Sequence, residues 1–396
     1  MELSPLKILQ VAYKSEISGG ETVLLNLAKH LRWRGHHLLV ACPSHGPLVE
    51  VLRKEGIEVK VIPIKKTYDL MGAFRLSNLI LREQVQILHT HGMLVNVVGR
   101  IASKVAHAPI SISTVHLTRE LGSGGRAENI RQRLKGKYYR SLDNFTTQFN
   151  DRVIAVSDSV KRDLISQGVS SEKIVVVRNG IEFEGSQVPL EGKNQRAKKK
   201  KEFNIGNGPV VGTITRFSKQ KDVHTFLYAM SDVVRDYPNA RCLILGDGEQ
   251  RGELENLSDR LALNGNVTFL GYREDARDIL DIFDIFVLSS LWEGLPLVVL
   301  EAMAASKPVV ATRVPGTAEA VVDGKTGMLV PLRNSERLAE SIKKLLGNQN
   351  LSQSMGKAGR RRVSEHFRLD RMVDETEKLY FDLMRSKKKE LRSNSA

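Results

Sequence analysis

The chain has 396 residues, of which 41% are hydrophobic and 27% charged, which is ordinary for a soluble globular protein of two or three domains. No run approaches the roughly 18 apolar residues of a membrane-spanning helix, and the N-terminus lacks the features of a signal peptide. Cys42 and Cys242 each lie in an apolar run, which excludes a disulfide framework and indicates a reducing compartment. We therefore expect a cytoplasmic protein.

The net charge of +15 is distributed unevenly along the chain. Residues 1–182 hold 26 Lys and Arg against 16 Asp and Glu, and the short run 193–201 supplies six further positive charges. This excess of positive charge attracts anionic partners, whether nucleic acid, an acidic membrane surface or a phosphate-bearing substrate. The composition leaves these three classes of partner open.

Short β-branched runs alternate with helical periods through the first half of the chain. This alternation predicts a parallel sheet with crossover helices, the first of which should open at Gly20. The strands predicted for this half are residues 7–12, 38–42, 59–62, 87–90, 110–115, 153–156 and 174–177.

A polar, lysine-rich stretch at 184–208 interrupts the alternation and predicts a linker with one short basic helix. The pattern then restarts, and the segment 335–385 is predicted to be helical. The strands predicted for this half are residues 210–215, 241–245, 267–270, 285–288, 308–311 and 327–330. We accordingly predict an N-terminal Rossmann-like domain at 1–183, the linker at 184–208, a C-terminal Rossmann-like domain at 209–370, and a C-terminal helix with a basic tail at 371–396 that packs back toward the N-terminal domain. Two such units imply a cleft between the carboxyl ends of their sheets, where ligands bind.

Several familiar motifs are absent or incomplete. No GxGxxG fingerprint follows the first strand, and the tripeptide at 324–326 lacks the leading glycine of a Walker loop. His89 and His91 alternate at a strand end without neighbouring cysteines or carboxylates, which disfavours a metal site. The sequence also lacks a carboxylate pair at a strand end of the kind that holds Mn²⁺ beneath a nucleotide.

The most informative stretch is 288–310, which leaves a strand, passes a polar turn and enters a helix. It carries Glu293 and Glu301, with Gly294 and Pro296 between them. Proline suits the first helical position, so we predict a helix that begins at Pro296 and offers an anion the amides of Leu297, Val298 and Val299. Two carboxylates around such a helix start suit a sugar nucleotide. The alternative is an amphipathic helix with Glu301 on a solvated face, against which its apolar surroundings argue.

Three further places would converge on the predicted cleft. The Ser-Gly-Gly-Glu segment at 18–21 could bring backbone amides to a phosphate, or could form a tight turn whose glutamate complements the helix dipole. His116 closes a strand and either points into the cleft or is a structural histidine. Arg216 and Lys221 follow the first strand of the second unit. There the forked guanidinium of the arginine and the compact ammonium of the lysine would hold a pyrophosphate. Surface Lys and Arg residues are otherwise usually just solvated.

The second half strongly resembles the retaining glycosyltransferase family 4 (glycosyl transferases group 1), in the segments VGTITRFSKQKDVHTFLYA, LILGDGEQR, VTFLGYRED, FDIFVLSSLWEGLPLVVLEAMAASKPVVAT and GTAEAVVDGKTGMLV. The first half adds SGGE, the STVH strand end, AVSDSVKRDL and VVRNGIE. The family's Glu-x7-Glu signature matches Glu293 and Glu301. The resemblance covers nearly the whole chain and implies the GT-B fold, an α/β architecture of two Rossmann-like domains facing each other across a cleft.

The resemblance also implies a role for each matching residue. Arg216 and Lys221 would bind the donor diphosphate, Glu301 the ribose, and Glu293 the donor sugar, together with the amides that follow it. The glycine loop would meet phosphate or acceptor, and His116 would contact the sugar. The residues implied to be catalytic are Arg216, Lys221, Glu293 and His116. The residues implied to bind the donor are Gly19, Gly20, Arg216, Lys221, Tyr272, Arg273, Glu293, Gly294, Leu295, Pro296, Leu297, Val298 and Glu301.

Two positions depart from the family pattern, because Thr215 and Asp222 stand where glycines are usual on either side of the Arg216–Lys221 segment. The change at Asp222 leaves the loop conformation open. The implied reaction is a metal-independent transfer of a sugar from a nucleotide donor, UDP-linked rather than GDP-linked, with retention at the anomeric carbon and no cofactor.

The acceptor implied is a lipid-linked glycan or a lipopolysaccharide-type molecule of bacterial surface polysaccharide synthesis. A basic segment at 119–140, with a narrow apolar stripe, could face an anionic membrane and hold the protein at the inner face of the cytoplasmic membrane, or could pack on its own domain. No nucleic-acid-binding module is identifiable. The alternatives are a sugar-nucleotide epimerase of the same fold and a catalytically silent relative that only binds the sugar nucleotide.

Overall fold

The computed structural model describes residues 4–65, 69–117, 141–183, 192–203 and 205–393, and the chain divides into two compact units. Unit 1 comprises Met1–Gly180 together with Leu369–Ala396, and unit 2 comprises Ile181–Arg368. The divisions lie close to the sequence boundaries at 183 and 370. The basic helix predicted within the linker belongs to unit 2.

Unit 1 is built on a parallel sheet of seven strands in the order β3-β2-β1-β4-β5-β6-β7. The strand that precedes the first crossover therefore lies in the interior of the sheet, as in a Rossmann fold. The strands are β1 (Lys7–Ala12), β2 (His37–Cys42), β3 (Glu58–Val61), β4 (Ile87–His91), β5 (Ile110–Val115), β6 (Arg152–Ala155) and β7 (Ile174–Val176).

Helices cover both faces of this sheet because its apolar strands need burial on each side. Helices α3 and α4 pack against each other over a core that includes Leu9, Leu76, Leu88 and Val98. Residues 141–147 are also helical. The helices of the main part of unit 1 are α1 (Gly19–Trp33), α2 (Pro47–Lys54), α3 (Leu70–Arg82), α4 (Met93–Ala106) and α5 (Asp158–Ser166).

Unit 2 repeats the plan with a six-stranded parallel sheet in the order β10-β9-β8-β11-β12-β13. Its strands are β8 (Val210–Ile214), β9 (Arg241–Leu245), β10 (Val267–Gly271), β11 (Ile285–Leu288), β12 (Val309–Thr312) and β13 (Gly327–Val330). Every predicted strand in the two units is confirmed to within one residue at each end, because a buried parallel strand is a short, continuous apolar run that the sequence displays directly.

The helices of unit 2 are α6 (Gly192–Glu202), α7 (Val223–Asp236), α8 (Arg251–Arg260), α9 (Ala276–Ile282), α10 (Leu297–Ala304), α11 (Pro315–Ala320), α12 (Ser335–Leu346) and α13 (Gln349–His366). Ion pairs fasten the basic helix α6 to the rest of the unit. Arg196 pairs with Asp284 at 2.6 Å, and Lys199 pairs with Asp275.

After unit 2 the chain returns to unit 1 as α14 (Leu369–Ser393). This helix packs against α1 and β5. Arg34 pairs with Glu377 at 2.6 Å, and His36 Nε2 lies 2.8 Å from the same carboxylate. Tyr380, which belongs to this helix, is fully buried. Among the described residues, no helix combines the length and the apolar character needed to cross a bilayer.

Candidate functional site

The loop after β8 carries Arg216 and Lys221 and is fixed by backbone hydrogen bonds to the neighbouring strand end. Thr215 N donates to Leu245 O at 2.8 Å, and Phe217 N donates to Asp247 O at 2.9 Å. The Phe217 ring is fully buried and anchors the loop. Arg216 is exposed beside it, at the carboxyl end of the parallel strand, where ligands bind in such sheets.

Gly246 permits this close approach of two loops. Its φ is +122°, and a Cβ there would stand 1.9 Å from the Thr215 carbonyl oxygen. A glycine directly after β9 thus makes room for the backbone of Thr215.

Lys221 and Glu293 form an ion pair across the carboxyl ends of unit 2, although 72 residues separate them in sequence. Lys221 Nζ donates to Glu293 Oε1 at 2.5 Å, with side-chain exposures of 17% and 8%. A pair with so little solvent around it interacts more strongly than a surface salt bridge. The structure therefore brings together two residues that the sequence singled out separately.

Asp222 adopts the left-handed conformation that the usual glycine would favour, with φ of +44° and ψ of +51°. Aspartate is one of the few residues that tolerate this region. Thr225 Oγ1 donates to Asp222 Oδ2 at 2.7 Å. Ser289 Oγ contacts the carbonyl oxygens of Lys221 and Asp222 at 2.9 and 2.8 Å. Hydrogen bonds from Thr225 and Ser289 thus stabilise the loop conformation that the sequence left open.

The second loop, which holds Glu293, is fastened to the first by reciprocal bonds. Leu291 N donates to Gln220 O at 2.8 Å, and Gln220 Nε2 donates to Trp292 O at 2.9 Å. A third contact comes from Gly316 in α11, where a Cβ would lie 2.5 Å from Glu293 O and 2.6 Å from Gly294 O. The role of Gly316 could not be predicted from the sequence, because only the fold shows which backbone this residue faces.

The helix after this loop begins one residue later than predicted. Pro296 is the N-cap, in an extended conformation with φ of −73° and ψ of 115°, and α10 starts at Leu297. The Pro296 carbonyl already accepts the amide of Val299 at 3.2 Å, so Val299 was wrongly assigned a free amide. The amides of Leu297 and Val298, at the first two helical positions, are the ones that a helix leaves without an internal acceptor.

Glu301 lies one turn into α10 and is half-buried. Burial raises the pKa of its carboxyl, an effect that the positive charge of Arg277 opposes. Among the described residues, none donates a hydrogen bond to this carboxylate. This half-buried position argues against the alternative of an amphipathic helix with Glu301 on a solvated face, and the group is suited to accept hydrogen bonds from a ligand.

Tyr272 and Arg273 follow β10, which is separated from β8 by one strand in the sheet. Arg273 Nε donates to Asp275 Oδ1 at 2.7 Å, Arg273 Nη2 donates to Glu202 Oε1 at 3.1 Å, and the guanidinium lies 5.7 Å from the Phe203 ring centroid. The Arg273 side chain is thus committed to an ion-pair network with α6. The Tyr272 side chain is 68% exposed.

Several buried hydroxyl and amide oxygens around these loops have no hydrogen-bond partner in the described part of the chain. They are Thr215 Oγ1, Ser218 Oγ, Gln250 Oε1 and Ser290 Oγ. Buried polar atoms are normally bonded. Their concentration beside Arg216, Lys221 and Glu293 indicates a polar site that is completed by a bound molecule or by water.

In unit 1, the structure brings the glycine loop next to His116. Helix α1 starts at Gly19, one residue earlier than predicted, with Ser18 as its N-cap and a hydrogen bond between Ser18 Oγ and Glu21 Oε2. A Cβ on Gly20 would lie 3.3 Å from His116 Cδ2, whereas nothing lies within 4 Å of a Cβ on Gly19. Gly20 therefore packs closely against the histidine ring, and a side chain there would require the ring to shift by a few tenths of an ångström.

His116 belongs to a cluster of three histidines at the ends of β4 and β5. His91 Nδ1 lies 3.3 Å from His116 Nε2, and these two rings stack with centroids 5.6 Å apart. His89 packs on His91 and lies 2.6 Å from both Thr114 Oγ1 and Tyr380 Oη. The contact of His89 and His91 with His116 could not be predicted from the sequence, in which these two residues stand out only as possible metal ligands.

Burial lowers the pKa of all three histidines, to about 4 for His116 and about 3 for His89. The rings are therefore neutral near neutral pH, and each can both donate and accept one hydrogen bond. Within the described residues, His91 Nε2 and His116 Nδ1 are buried without a partner, and no three His, Cys, Asp or Glu side chains could hold a metal ion. The basic segment 119–140 lies outside the described residues.

Two family models match the chain, one in each half. The model described as Glycosyltransferase Family 4 matches residues 17–184, and the model described as Glycosyl transferases group 1 matches residues 194–362. The first match spans the glycine loop and His116, and the second spans Arg216, Lys221, Glu293 and Glu301.

Among curated proteins, the chain is 27% identical over 394 residues to the UDP-Gal:alpha-D-GlcNAc-diphosphoundecaprenol alpha-1,3-galactosyltransferase of Escherichia coli, covering 97% of this chain and 99% of that protein. It is also 27% identical over 354 residues to the capsular polysaccharide biosynthesis glycosyltransferase CapM of Staphylococcus aureus, covering 84% of this chain and 89% of that protein.

Among solved structures, the Anabaena protein HepE in complex with UDP superposes with a TM-score of 0.82 at 22% identity, covering 95% of this chain and 100% of that one. The lipopolysaccharide biosynthesis glycosyltransferase WaaG superposes with a TM-score of 0.74 at 17% identity, covering 93% of this chain and 98% of that one. These likenesses agree with the two Rossmann-like sheets. The chain is therefore a glycosyltransferase with the GT-B fold and belongs to glycosyltransferase family 4.

Proposed function

We propose that this protein transfers a sugar, with retention and without a metal ion, from a UDP-sugar to a lipid-linked glycan acceptor of surface polysaccharide synthesis. The observation that carries the proposal is the buried Lys221–Glu293 pair beside the exposed Arg216 and the start of α10. Cationic groups and free amides thus meet carboxylates at one edge of the sheet in unit 2.

Each of these groups suits a different part of the nucleotide-sugar donor. The Arg216 guanidinium and the Lys221 ammonium suit the two negative charges of a diphosphate, and the amides of Leu297 and Val298 add uncharged donors. Glu301 is suited to accept hydrogen bonds from both ribose hydroxyls. The Glu293 carboxylate, fixed by Lys221, is suited to orient hydroxyls of the sugar.

The relatives support the choice of donor and acceptor. The Escherichia coli relative is named for a UDP-galactose donor and a diphosphoundecaprenol-linked acceptor, and it aligns over nearly all of both chains. The HepE structures contain UDP, and one of them contains UDP-glucose. A lipid-linked acceptor would place the reaction at the cytoplasmic face of a membrane.

In the proposed reaction, the bond between the anomeric carbon and the diphosphate oxygen breaks through an oxocarbenium-like state. The acceptor hydroxyl attacks from the same face, its oxygen bonds to the anomeric carbon, and its proton passes to the departing phosphate oxygen. Arg216, Lys221 and the α10 amides stabilise the charge that develops on the diphosphate, which is commonly the largest contribution to such catalysis. Neutral His116 can donate to, or accept from, a sugar hydroxyl.

Titration calorimetry of UDP in the presence of EDTA tests the donor half of the proposal. We expect the wild type to bind UDP without metal, and Glu301→Ala to bind it about tenfold or more weakly, because hydrogen bonds to a charged group contribute about 1.5–3 kcal/mol. Glu336→Ala, at an exposed position of α12, is the matched control and should bind like the wild type. Equal UDP affinity in Glu301→Ala would overturn the ribose assignment, and UDP binding that requires a divalent ion would overturn metal independence.

Transfer from UDP-galactose to GlcNAc-diphosphoundecaprenol tests the acceptor half. Mass spectrometry should show an acceptor heavier by one hexose, and NMR should show that the anomeric configuration is retained. An inverted product would contradict retention. Conversion of the UDP-sugar without any acceptor would instead identify an epimerase.

A further inference from the structure

Helix α3 is apolar on its solvent-facing side as well as on its buried side. Gly72, Ala73, Leu76 and Ile80 face the core of unit 1, where α3 packs on α4. The opposite side carries four large apolar residues and two arginines at the i, i+3 and i+4 spacing of one helical face. These six residues form what we call the α3 stripe: Leu70, Met71, Phe74, Arg75, Leu81 and Arg82.

The apolar side chains of the α3 stripe are unusually exposed. Leu70 is 72% exposed, Met71 and Phe74 are each 58% exposed, and Leu81 is 57% exposed. A solvated helix face normally carries charged and polar residues, whereas grouped apolar residues on a surface mark a site of interaction with a protein or a membrane. The core of unit 1 does not account for these residues, because they point away from it.

The charges on the α3 stripe are all positive. Arg75 and Arg82 are exposed beside the apolar side chains, and Asn78, on the same face, is neutral. The acidic residue at the start of the helix, Asp69, is occupied as the N-cap, because it accepts hydrogen bonds from Gly72 N at 2.8 Å and Lys65 N at 2.9 Å. The outward face of α3 thus combines apolar side chains with cations and presents no carboxylate.

We propose that the α3 stripe rests on an anionic lipid bilayer. A helix lying in a membrane interface needs one face with large apolar side chains and arginines at its edges, and the arginine stems can extend so that their charges reach lipid phosphates. The net charge of +15 for the chain favours the same partner. The biological purpose of this membrane contact rests on the lipid-linked acceptor of the proposed function. The contact itself needs no substrate.

Vesicle flotation of the full chain, without donor or acceptor, tests this surface. Wild-type protein should float with vesicles of phosphatidylglycerol and phosphatidylethanolamine at low salt, and much less with vesicles of phosphatidylcholine. Met71→Ser/Phe74→Ser should lower the bound-to-free ratio about tenfold or more, since each side chain would no longer bury its apolar surface in lipid. Arg75→Gln/Arg82→Gln should weaken binding to anionic vesicles and make it less sensitive to salt.

A matched control exists in the same unit. Phe145 is 63% exposed but lies on the helix at 141–147, where it contacts Phe149. Phe145→Ser should bind vesicles like the wild type, and thermal unfolding should show that all variants fold.

Three results would overturn the proposal. They are failure of the wild type to float with anionic vesicles, equal flotation of Met71→Ser/Phe74→Ser and Phe145→Ser, and a wild-type dimer that becomes monomeric in the α3 variant. None of them would affect the assignment of sugar transfer, which is measured separately with substrates.

Discussion

The ion pair between Lys221 and Glu293 links the two loops that carry the proposed chemistry. The two side chains are 17% and 8% exposed. Burial removes most of the water around each charge, so each charge is stabilised mainly by the other. In the proposed reaction, Lys221 would share its three hydrogen bonds between the donor diphosphate and Glu293. The pair thereby holds the ammonium in place before the donor arrives.

We expect Glu293→Gln to lower the free energy of unfolding by about 1–3 kcal/mol, because it leaves a largely buried ammonium without its counter-charge. Urea denaturation measures this change. A double-mutant cycle with Lys221→Met isolates the pair, and the second change should cost much less once the first has been made. Strictly additive losses would contradict an energetic role for the pair.

The buried histidines predict a loss of stability in mild acid. Burial lowers the pKa of His116 to about 4, whereas an unfolded histidine titrates near about 6.5. The unfolded chain therefore binds more protons between these values. The free energy of unfolding should fall as the pH drops through this window, by up to about 1.4 kcal/mol per pH unit for each such histidine.

His116→Gln removes one of these groups. Its free energy of unfolding, measured by urea denaturation from neutral pH to about pH 5, should decline less steeply than that of the wild type, by up to the slope of one histidine. The positive charge of a protonated His116 also lowers the pKa of His89 and His91, so the difference contains the loss of His116 and a smaller change at these two rings. Parallel pH profiles would contradict the lowered pKa.

At the scale of elements, the site depends on close backbone contacts between α11 and the loop before α10. Gly316→Ala would place a Cβ 2.5 Å from the Glu293 carbonyl oxygen, so the loop must shift. Because small misplacements of catalytic groups are costly, we expect kcat/KM to fall about tenfold or more while the protein remains folded. Gly252→Ala is the control, since nothing lies within 4 Å of its Cβ on α8. Unchanged kcat/KM in Gly316→Ala would show that the loop position is unimportant.

This contrast shows what the sequence could predict at the scale of elements. The strands were confirmed because their apolar runs are local signals, and Arg216, Lys221 and Glu293 could be singled out because each lies in a loop between a strand and the next helix. The start of α10 was placed one residue early, since proline is accepted both at the first helical position and at the N-cap position before it. Gly316 and the pairing of Lys221 with Glu293 depend on contacts between distant segments, which no local pattern contains.

At the scale of the whole molecule, the two units carry different parts of the proposed task. Unit 2 holds the residues proposed to contact the diphosphate, the ribose and the sugar, and unit 1 holds the histidine cluster and the α3 stripe. The chain passes from unit 1 to unit 2 near residue 180 and returns near residue 369 as α14. The buried Tyr380 of α14 then lies 2.6 Å from His89, so the last helix contributes directly to the packing of the histidine cluster.

Sugar transfer by wild type and diphosphate-site variants tests the central claim most directly. With a defined UDP-sugar and a polyprenyl-diphosphate glycan acceptor, the wild type should release UDP in step with the mass gained by the acceptor. Arg216→Ala and Lys221→Ala should each lower kcat about a hundredfold or more with the fold intact, because stabilisation of the leaving group is lost. Arg337→Ala, an exposed control paired with Glu340 on α12, should retain full rate. Near-wild-type transfer by Arg216→Ala or Lys221→Ala would contradict the account.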